Sequence, residues 1–406
     1  MEERKKIMDL AFLSGEILLC NGAEISRVED TMTRIAKHYG VADCSFFVLS
    51  NGITATADNY AKTKFMPIKG SDLEKVVAVN QVSRDVSYKN LSLEELESTL
   101  MKIKDKKGKP FTEQVIASAV GSAAFCIIFG GSLIDCAAAA VAGLLLWVFM
   151  CLVGYRRLSR ITGNVTGGLL ATALCLLMYR LGFGENLNNM IIGAIIPLVP
   201  GVPFTNGIRD MANEDYISGS TRLLDALLVF FCISLGVAIA FMSDARIHGQ
   251  MLDIGRLAVD EVTARFAIQM AAAFTGTVAF AVLFGTPRRF YAGCGLCGLA
   301  GWFLFIVLNR HTEMTTAEIL LLSAALVTLT SMALSIYSKC PITVFIIAGI
   351  FPLVPGEGIF RTTYNIVSNN LPEALHSGFA ALKAAVVIAL GIVLVTEIKN
   401  TVFKKL

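Results

Sequence analysis

The chain has 406 residues, of which 55% are hydrophobic and only 17% are charged, and its mean hydropathy is +0.64. This composition excludes an ordinary soluble or disordered protein and indicates a membrane protein. The net charge of +3 hides an uneven distribution, because residues 1–110 are rich in charged residues whereas residues 111–406 are mostly apolar runs. The sequence therefore predicts a soluble domain followed by membrane spans, with no nucleic-acid partner.

Residues 1–110 are predicted to form a small α+β domain. Asp9 and Glu16 interrupt the first apolar stretch, so a signal peptide is not expected. Helical periodicity predicts one helix ending at Asn21-Gly22 and a second ending at Gly40. The run CSFFVLSNGITATA predicts two strands joined at Asn51-Gly52, and TKFMPI predicts a third. Two more helices are expected over 72–88 and 92–106, the latter with a capping box near Glu95.

Ten apolar segments then approach the roughly 20 residues needed to cross a bilayer. They cover residues 115–132, 134–153, 165–183, 187–206, 223–242, 266–285, 290–308, 316–337, 341–360 and 378–396. With residues 1–110 in the cytoplasm, the basic stretches KIKDKKGK, YRRLSR, TPRRF and KNTVFKK all fall on the inner side, as the positive-inside rule requires. The sequence thus predicts a multi-pass protein of the plasma (inner) membrane with both termini in the cytoplasm.

Two similar interruptions divide these spans into halves. The fourth span contains GAIIPLVPG and the ninth contains AGIFPLVPG. We expect a first half at 111–242, a connecting segment at 243–265 and a second half at 266–406. Five spans placed in tandem must invert, so the fold predicted is a mostly α membrane protein with an inverted five-plus-five repeat. Broken helices at matched positions of such repeats indicate the binding site of a secondary transporter.

The candidates for a substrate passage lie at the two breaks and just after them. They are Pro197, Pro200, Gly201, Asn206, Arg209 and Asp210 in the first half, and Pro352, Pro355, Gly356, Glu357 and Arg361 in the second. Arginine binds carboxylates through paired hydrogen bonds, and Glu357 suits a proton or an ammonium group. The alternative is that the prolines mark span ends and that Arg209 and Asp210 are solvated loop charges.

Ionisable residues in or near the predicted spans are the candidates for proton coupling, because such groups are costly in hydrocarbon. They are Glu357, Asp225, Glu113 and Glu318. Asp225 and Lys383 lie early in the closing spans of the two halves. The alternative for both is that their side chains extend to the membrane interface instead of facing a cavity. Asn164 and Thr166 open the third span and suit either a substrate hydroxyl or helix contacts.

The soluble domain carries a charged motif with two interpretations. Its residues are Glu24, Arg27, Glu29, Asp30, Asn51 and Gly52. Glu24 and Arg27 are neighbours on a helix face, which predicts either a solvated salt-bridged surface or docking at the inner mouth of the pathway. Ser26, Asp30 and His38 are residue types that hydrolases use, but no motif positions them for catalysis, so no enzyme is expected.

Neither a metal nor another cofactor is predicted. Cys294 and Cys297 form a CxxC, but no second pair and no nearby His accompany them. The other cysteines of the membrane region lie mostly inside apolar runs, as small buried side chains do.

Three motifs resemble those of the threonine/serine exporter family. They are NGAEISRVEDT at 21–31, FVLSNGITAT at 47–56 and the paired PLVPG segments, and the resemblance extends over essentially the whole chain. It implies a cytoplasmic domain followed by two five-span units, and export of threonine, serine or a related solute driven by protons. Some split members are linked to dicarboxylate export, so a succinate-like substrate stays open, as do a passive channel, a membrane-bound hydrolase and a homo-oligomer.

Overall fold

The computed structural model describes residues 2–66, 70–154, 157–249 and 266–403. The N-terminal domain contains four helices and one three-stranded antiparallel sheet with strand order β1-β2-β3. Its elements are α1 (Glu2–Cys20), α2 (Ile25–His38), β1 (Cys44–Leu49), β2 (Gly52–Ala57), β3 (Tyr60–Phe65), α3 (Leu73–Lys89) and α4 (Leu93–Asp105). The small α+β arrangement agrees with the charged, periodic character of this part of the sequence.

The helices and strands predicted for this domain are present, with the turn and one strand boundary shifted by a few residues. Leu10 and Leu18 of α1 and Ile35 of α2 are all buried, as their helical spacing requires. The first hairpin turn consists of Ser50 and Asn51, because Gly52 already pairs with Leu49 in the sheet. The third strand begins at Tyr60, earlier than TKFMPI suggests, and residues 67–69 of that prediction lie outside the described part of the chain.

The helical region that follows begins with α5. Its first group of helices is α5 (Phe111–Ile128), α6 (Leu133–Phe149), α7 (Arg160–Arg180), α8 (Leu187–Ile195), α9 (Gly201–Ala212) and α10 (Tyr216–His248). The second group is α11 (Phe266–Leu283), α12 (Tyr291–His311), α13 (Thr316–Ser338), α14 (Thr343–Gly349), α15 (Gly356–Val367) and α16 (Leu371–Phe403). A short π-helical segment, Met150–Gly154, extends α6.

Among the described residues, eight helices are long and apolar enough to cross a membrane, and the number reaches ten if each of two bent helix pairs counts as one span. The bent pairs are α8 with α9 and α14 with α15, and they bend by 65° and 51°. The ten predicted segments correspond to these elements. Most of the predicted connecting segment, residues 250–265, lies outside the described residues, and α10 continues to His248.

Both bends occur where the sequence repeats PLVPG. In each, a helix passes into a single 3-10 turn, Ile196–Leu198 or Phe351–Leu353, and a new helix starts after the second proline. Pro200 and Pro355 occupy the N-cap positions of α9 and α15. Proline lacks a backbone donor and clashes with the preceding turn, so two prolines three residues apart end one helix, and a proline is tolerated where the next begins.

The two groups of helices share the same internal packing. In each group the broken pair packs against the first, second and third long helices, and the helix after the break packs against the closing helix. α5 of the first group packs along α11 of the second. A Ser-Gly pair lies early in each closing helix, α10 and α16, where Gly219 approaches the backbone of Gly207 in α9 and Gly378 approaches Thr362 in α15. Glycine therefore permits the close contact in both groups.

The N-terminal domain is attached to the ends of several membrane-length helices. The amides of Leu73 and Glu74, at the start of α3, donate to the carbonyls of Phe284 and Gly285, which follow α11. Gly285 has φ +70, and a Cβ there would come within 3.0 Å of Asp72. Arg84 of α3 donates to the carbonyl of Lys339, between α13 and α14. Further contacts join the domain to α9 and place it beside the first break.

Candidate functional site

A cavity of about 640 Å³ lies between the N-terminal domain and the first group of helices. Its volume falls in the range of small-molecule sites. The first break forms one wall, from Pro197 to Pro203. The remaining described residues of the wall are Leu19, Gly22, Ser50, Gly70, Ser71, Gln114, Trp147, Met150, Leu158, Arg160, Gly163, Asn164, Asn206, Arg222, Asp225, Val229, Leu283 and Phe284. The domain, the break and five long helices (α5, α6, α7, α10 and α11) therefore surround one space.

Two buried acceptor atoms at this cavity lack hydrogen-bond partners within the described residues. They are Oδ1 of Asn206 and Oδ2 of Asp225. The amide nitrogen of Asn206 donates to the carbonyl of Gly22 at 2.7 Å, and Oδ1 of Asp225 accepts from Arg160 at 2.7 Å. Leaving buried acceptors unpaired costs about 1–3 kcal/mol each. The cavity thus offers acceptor groups suited to an ammonium or hydroxyl donor.

The start of α9 places partial positive charge at the wall of the same cavity. Gly201 and Val202 are the first two residues of this 12-residue helix, and both line the space. The amide of Gly201 donates to the carbonyl of Val199 and Pro203 has no amide hydrogen, so Val202 supplies the free amide of this first turn among the described residues, and the helix dipole adds partial positive charge there. A carboxylate is the complementary ligand. One cavity wall therefore combines a place for an anionic group with acceptors for a cationic one.

The charged residues after the first break form a buried cluster with the domain. Glu24, at the N-cap of α2, is 2% exposed. It pairs with Arg209 of α9 at 2.6 Å and with Arg27 at 2.9 Å. Burial raises the pKa of the Glu24 carboxyl, but the neighbouring guanidinium groups of Arg209 and Arg27 outweigh it, so the pKa lies below its ordinary value. Glu24 is therefore held as a carboxylate.

Asp210 makes the second half of this cluster and is fully buried. One of its oxygens accepts from the amide of Ile25 at 3.1 Å, and the other accepts from Arg222 at 2.7 Å. Arg222 also donates to the carbonyl of Ala23 at 2.9 Å. The interpretation of Glu24 as part of a solvated surface is wrong, and so is that of Arg209 and Asp210 as solvated loop charges, since these three residues are buried at the contact between the domain and α9. Arg27 pairs with Glu24 but stays partly exposed.

The other residues of the domain motif lie outside this buried cluster. Glu29 accepts from the amide of Val48 at 3.1 Å and so joins α2 to the sheet, whereas Asp30 is exposed. The hairpin tip reaches the cavity through Ser50, which precedes Asn51 and Gly52. Ser26 lies 3.3 Å from the amide of Asn213. His38 lies on the same helix twelve residues further on, roughly 18 Å away, so these two side chains do not form a catalytic pair.

The second break lies against the first, outside the large cavity as far as the described residues show. Gly201 faces the ring of Phe351, and Gly356 faces Ile196. A small apolar cavity of about 20 Å³ lies at this contact and is lined by Ile196, Gly356 and others. Of the candidates after the break, Glu357 pairs with Arg361 at 2.6 Å, and both are partly exposed. Pro352 is buried and Pro355 is partly buried.

The remaining candidates have separate local partners. Glu113 pairs with Arg288, which joins the start of α5 to the turn before α12. Glu318 completes a capping box with Thr315 at the start of α13. Thr166 donates to carbonyls of its own helix, whereas Asn164 is buried at the cavity. Lys383 is exposed. In the described part of the chain, no cluster of three or more His, Cys, Asp or Glu could hold a metal.

Sequence reasoning missed two arginines of the site. The sequence predicts Arg160 only as part of the basic inner stretch YRRLSR, and it gives no prediction for Arg222. Arg222 and Asp225 are three residues apart in α10, so they share a helix face. An ionisable pair at this spacing near the start of an apolar span was the signal available, and the partner of each residue, Asp210 or Arg160, lies on another helix.

These features define a class of protein: a multi-pass membrane protein with two broken helix pairs, one of which lines a large cavity. Residues 9–243 match a family described as putative threonine/serine exporter, and residues 269–398 match one described as threonine/serine exporter, ThrE. The chain belongs to the threonine/serine exporter family, and the resemblance carried by its motifs is confirmed. No solved structure matches it.

Similar proteins cover most of the chain at low identity. The chain is 23% identical over 404 residues to the threonine/serine exporter of Corynebacterium glutamicum, covering 96% of this chain and 81% of that protein. It is 21% identical over 412 residues to the probable threonine/serine exporter of Mycobacterium tuberculosis, covering 96% and 76%. It is 24% identical over 243 residues to the probable succinate transporter subunit YjjP of Klebsiella aerogenes, covering 59% and 94%.

Proposed function

We propose that this protein is a secondary active transporter that exports small amino acids of the threonine/serine class in exchange for protons. The observation that carries the proposal is the cavity wall at the first break. The start of α9 suits the α-carboxylate, and the unpaired oxygens of Asp225 and Asn206 suit the α-ammonium group. A small zwitterion satisfies both ends of such a site. The names of the full-length relatives support the same substrate class.

We further propose that residues 111–242 and 266–406 are inverted repeats that give alternating access around the two breaks. The end of α9 contacts the N-terminal domain through Asn213, and the domain also holds Lys339, just before α14. The first broken pair therefore ends at the domain, whereas the second begins there. This supports opposite directions for the two pairs. The cavity of about 640 Å³, which residues of the domain line on one side, supports a conformation facing the domain.

The proposal assigns the domain to the cytoplasm, both termini to the inner side and the chain to the plasma membrane. The basic stretches that flank the spans support this orientation. The domain then covers the inner entrance, because Gly22, Ser50 and Ser71 line the cavity. Glu357, Asp225, Glu113 and Glu318 stay the candidates for proton coupling, and Asp225 has the strongest structural support since it alone of the four lines the cavity among the described residues.

Transport by the purified protein in proteoliposomes tests the proposal. Labelled threonine, serine and succinate are each offered with and without an imposed pH gradient. We expect gradient-driven accumulation of threonine or serine above equilibrium, and its loss when a protonophore collapses the gradient. Downhill flux that ignores the gradient would indicate a channel. Accumulation of succinate without either amino acid would assign the dicarboxylate alternative, which the YjjP relative represents.

The variant Asp225→Asn tests the assignment of the ammonium site. It keeps the size of the side chain but removes its charge, so we expect the KM for threonine to rise at least about 10-fold, consistent with the roughly 1.5–3 kcal/mol of a charged hydrogen bond. Asp244→Asn is the matched control, because Asp244 also joins α10 to an arginine of α7, Arg180, but does not line the cavity among the described residues. An equal rise of KM in both variants would remove the assignment.

A further inference from the structure

A second groove, strongly basic, lies between the domain and the second group of helices and shares no lining residue with the cavity. It has a volume of about 290 Å³ and separates α2 and α3 of the domain from the junction between α13 and α14. Its described lining contains four cationic side chains and no carboxylate. The lining residues are Arg27, Arg34, Asn80, Arg84, Ser335, Ile336, Lys339 and Cys340. We call this feature the basic groove.

The cations of the basic groove are poorly neutralised by the protein. Arg27 shares Glu24 with Arg209, so one carboxylate serves two guanidinium groups. Arg34 is exposed and Lys339 is exposed, and neither makes an ion pair within the described residues. Asp85, the carboxylate next to Arg84 in the sequence, is already held by Gln81 and Lys89. The groove therefore has an excess of positive charge.

Arg84 supplies the observation that points to a ligand. One of its terminal nitrogens donates to the carbonyl of Lys339, which fixes the guanidinium across the groove. Its Nε is buried and has no hydrogen-bond partner in the described part of the chain. A guanidinium group presents Nε and one terminal nitrogen in a fork that matches two oxygens of a phosphate. A phosphate in the groove would thus use a donor that the protein leaves unpaired.

We propose that the basic groove binds a phosphate-bearing anion, and that in the membrane this anion is the headgroup of an anionic phospholipid. The groove lies at the end of α13, a helix of membrane length. Ile336 and Tyr337 beside it are 64% and 88% exposed, and exposed apolar and tyrosine side chains at a span end are typical of the membrane interface. A lipid held here contacts α13 with its chains and the arginines with its phosphate.

The anion has a consequence for the domain. Arg27, Arg34 and Arg84 belong to the domain, whereas Lys339 belongs to the second group of helices. Bringing these like charges together opposes docking of the domain, and an anion between them reverses that effect. Binding and docking are therefore linked, so that phosphate-bearing lipid stabilises the docked domain. The basic groove is a different surface from the cavity, so this effect on docking does not depend on which solute is transported.

Lipid binding to the full-length protein tests the proposal. Protein in neutral detergent is titrated with phosphatidylglycerol, with phosphatidylcholine or with inorganic phosphate, and bound lipid is counted by native mass spectrometry while the thermal midpoint is recorded. We expect phosphatidylglycerol to bind and to raise the midpoint, and Arg34→Gln/Arg84→Gln to weaken its binding at least about 10-fold. The double variant Lys5→Gln/Lys37→Gln is the control, because it removes two exposed charges of the same domain that lie outside the groove and make no ion pair within the described residues.

Each outcome decides one point. If inorganic phosphate alone gives the full shift, the groove is a phosphate site with a soluble ligand rather than a lipid. If phosphatidylcholine binds equally well, or if the control variant loses as much binding as the arginine variant, the positive charge is merely diffuse and the proposal is overturned. Arg34→Gln alone guards against misfolding, since Arg34 is exposed and loses no ion pair within the described residues.

Discussion

Glu24 shows how a single residue connects the soluble domain to the first broken helix. Two carboxylates, Glu24 and Asp210, face three arginines at this contact: Arg27, Arg209 and Arg222. Buried ion pairs are weak contributors to stability when both partners are present, because desolvation offsets their attraction, but removal of one partner leaves an uncompensated charge. The cluster therefore specifies where the domain docks more than how strongly it does so.

We expect Glu24→Gln to destabilise the docked protein by about 3–5 kcal/mol at pH 7. The pKa of Glu24 is lowered in the folded state, so its stabilising contribution is fully present above its ordinary value near 4.5 and is lost as the pH falls through the lowered value. Thermal unfolding in detergent should therefore show a difference between wild type and variant at pH 7 that begins to shrink near pH 4.5 and is lost below the lowered pKa.

Asp30→Asn provides the control for this prediction, because Asp30 is exposed on the same helix. Its thermal midpoint should stay within the experimental error of the wild-type midpoint at pH 7 and below pH 4.5. A Glu24→Gln variant as stable as wild type at pH 7 would contradict the account of the cluster, as would a difference that disappears already between pH 7 and pH 5.5.

The residues of the site were only partly predictable from sequence, for a physical reason. The breaks were predictable because two prolines stop a helix wherever they occur. Glu24 and Arg209 are 185 positions apart, and Arg160 and Asp225 are 65 apart. Such pairs leave no local periodicity, so single residues could be nominated but their partners could not. The sequence alone also suggested equal roles for both breaks, whereas only the first lines the large cavity among the described residues.

At the scale of elements, the two broken helix pairs are alike in sequence but not in their surroundings. A Cβ at Gly201 would lie 2.2 Å from Cε2 of Phe351, whereas a Cβ at Gly356 would lie 3.5 Å from Cδ1 of Ile196, an ordinary contact. The Phe351 ring is 1% exposed and is stacked on Phe280 with centroids 4.0 Å apart. The aromatic packing therefore leaves the ring no room to move away from the first break.

We accordingly expect Gly201→Ala and Gly356→Ala to differ although the positions correspond. Gly201→Ala should destabilise the protein by about 1–3 kcal/mol, the usual cost of overpacking, and should slow transport by separating the breaks. Gly356→Ala should be neutral or slightly stabilising, since alanine restricts the unfolded chain. Thermal midpoints and transport rates in proteoliposomes measure both effects.

The double variant Gly201→Ala/Phe351→Leu checks the cause of this difference. The smaller, non-planar side chain makes room for the added methyl group, so part of the lost stability and transport should return. If Gly201→Ala behaves like Gly356→Ala, the two breaks do not pack as described. If both variants lose transport equally with unchanged stability, glycine is needed at both breaks for a reason other than packing.

At the scale of the whole molecule, the docked domain lies at the cavity and contacts both groups of helices. The domain holds the end of α9, the residues after α11 and the residues before α14 at once. A domain that stays fixed on all three would restrain the movement of both helix groups. Alternating access therefore implies that at least the contact between α2 and α9 loosens during transport.

A reversible cross-link between α2 and α9 tests this requirement. Ser26 and Asn213 lie opposite one another, with Oγ and Nδ2 3.3 Å apart, and the substitutions Ser26→Cys and Asn213→Cys place two thiols there. We expect mild oxidation of the double variant to stop threonine transport in proteoliposomes and a reductant to restore it, because the disulfide holds the domain against the helix that must move. Each single-cysteine variant, oxidised in the same way, controls for the cysteines already present in the chain. Transport at the wild-type rate by fully cross-linked protein would mean that the domain moves together with α9, and the inner entrance would then have to open elsewhere.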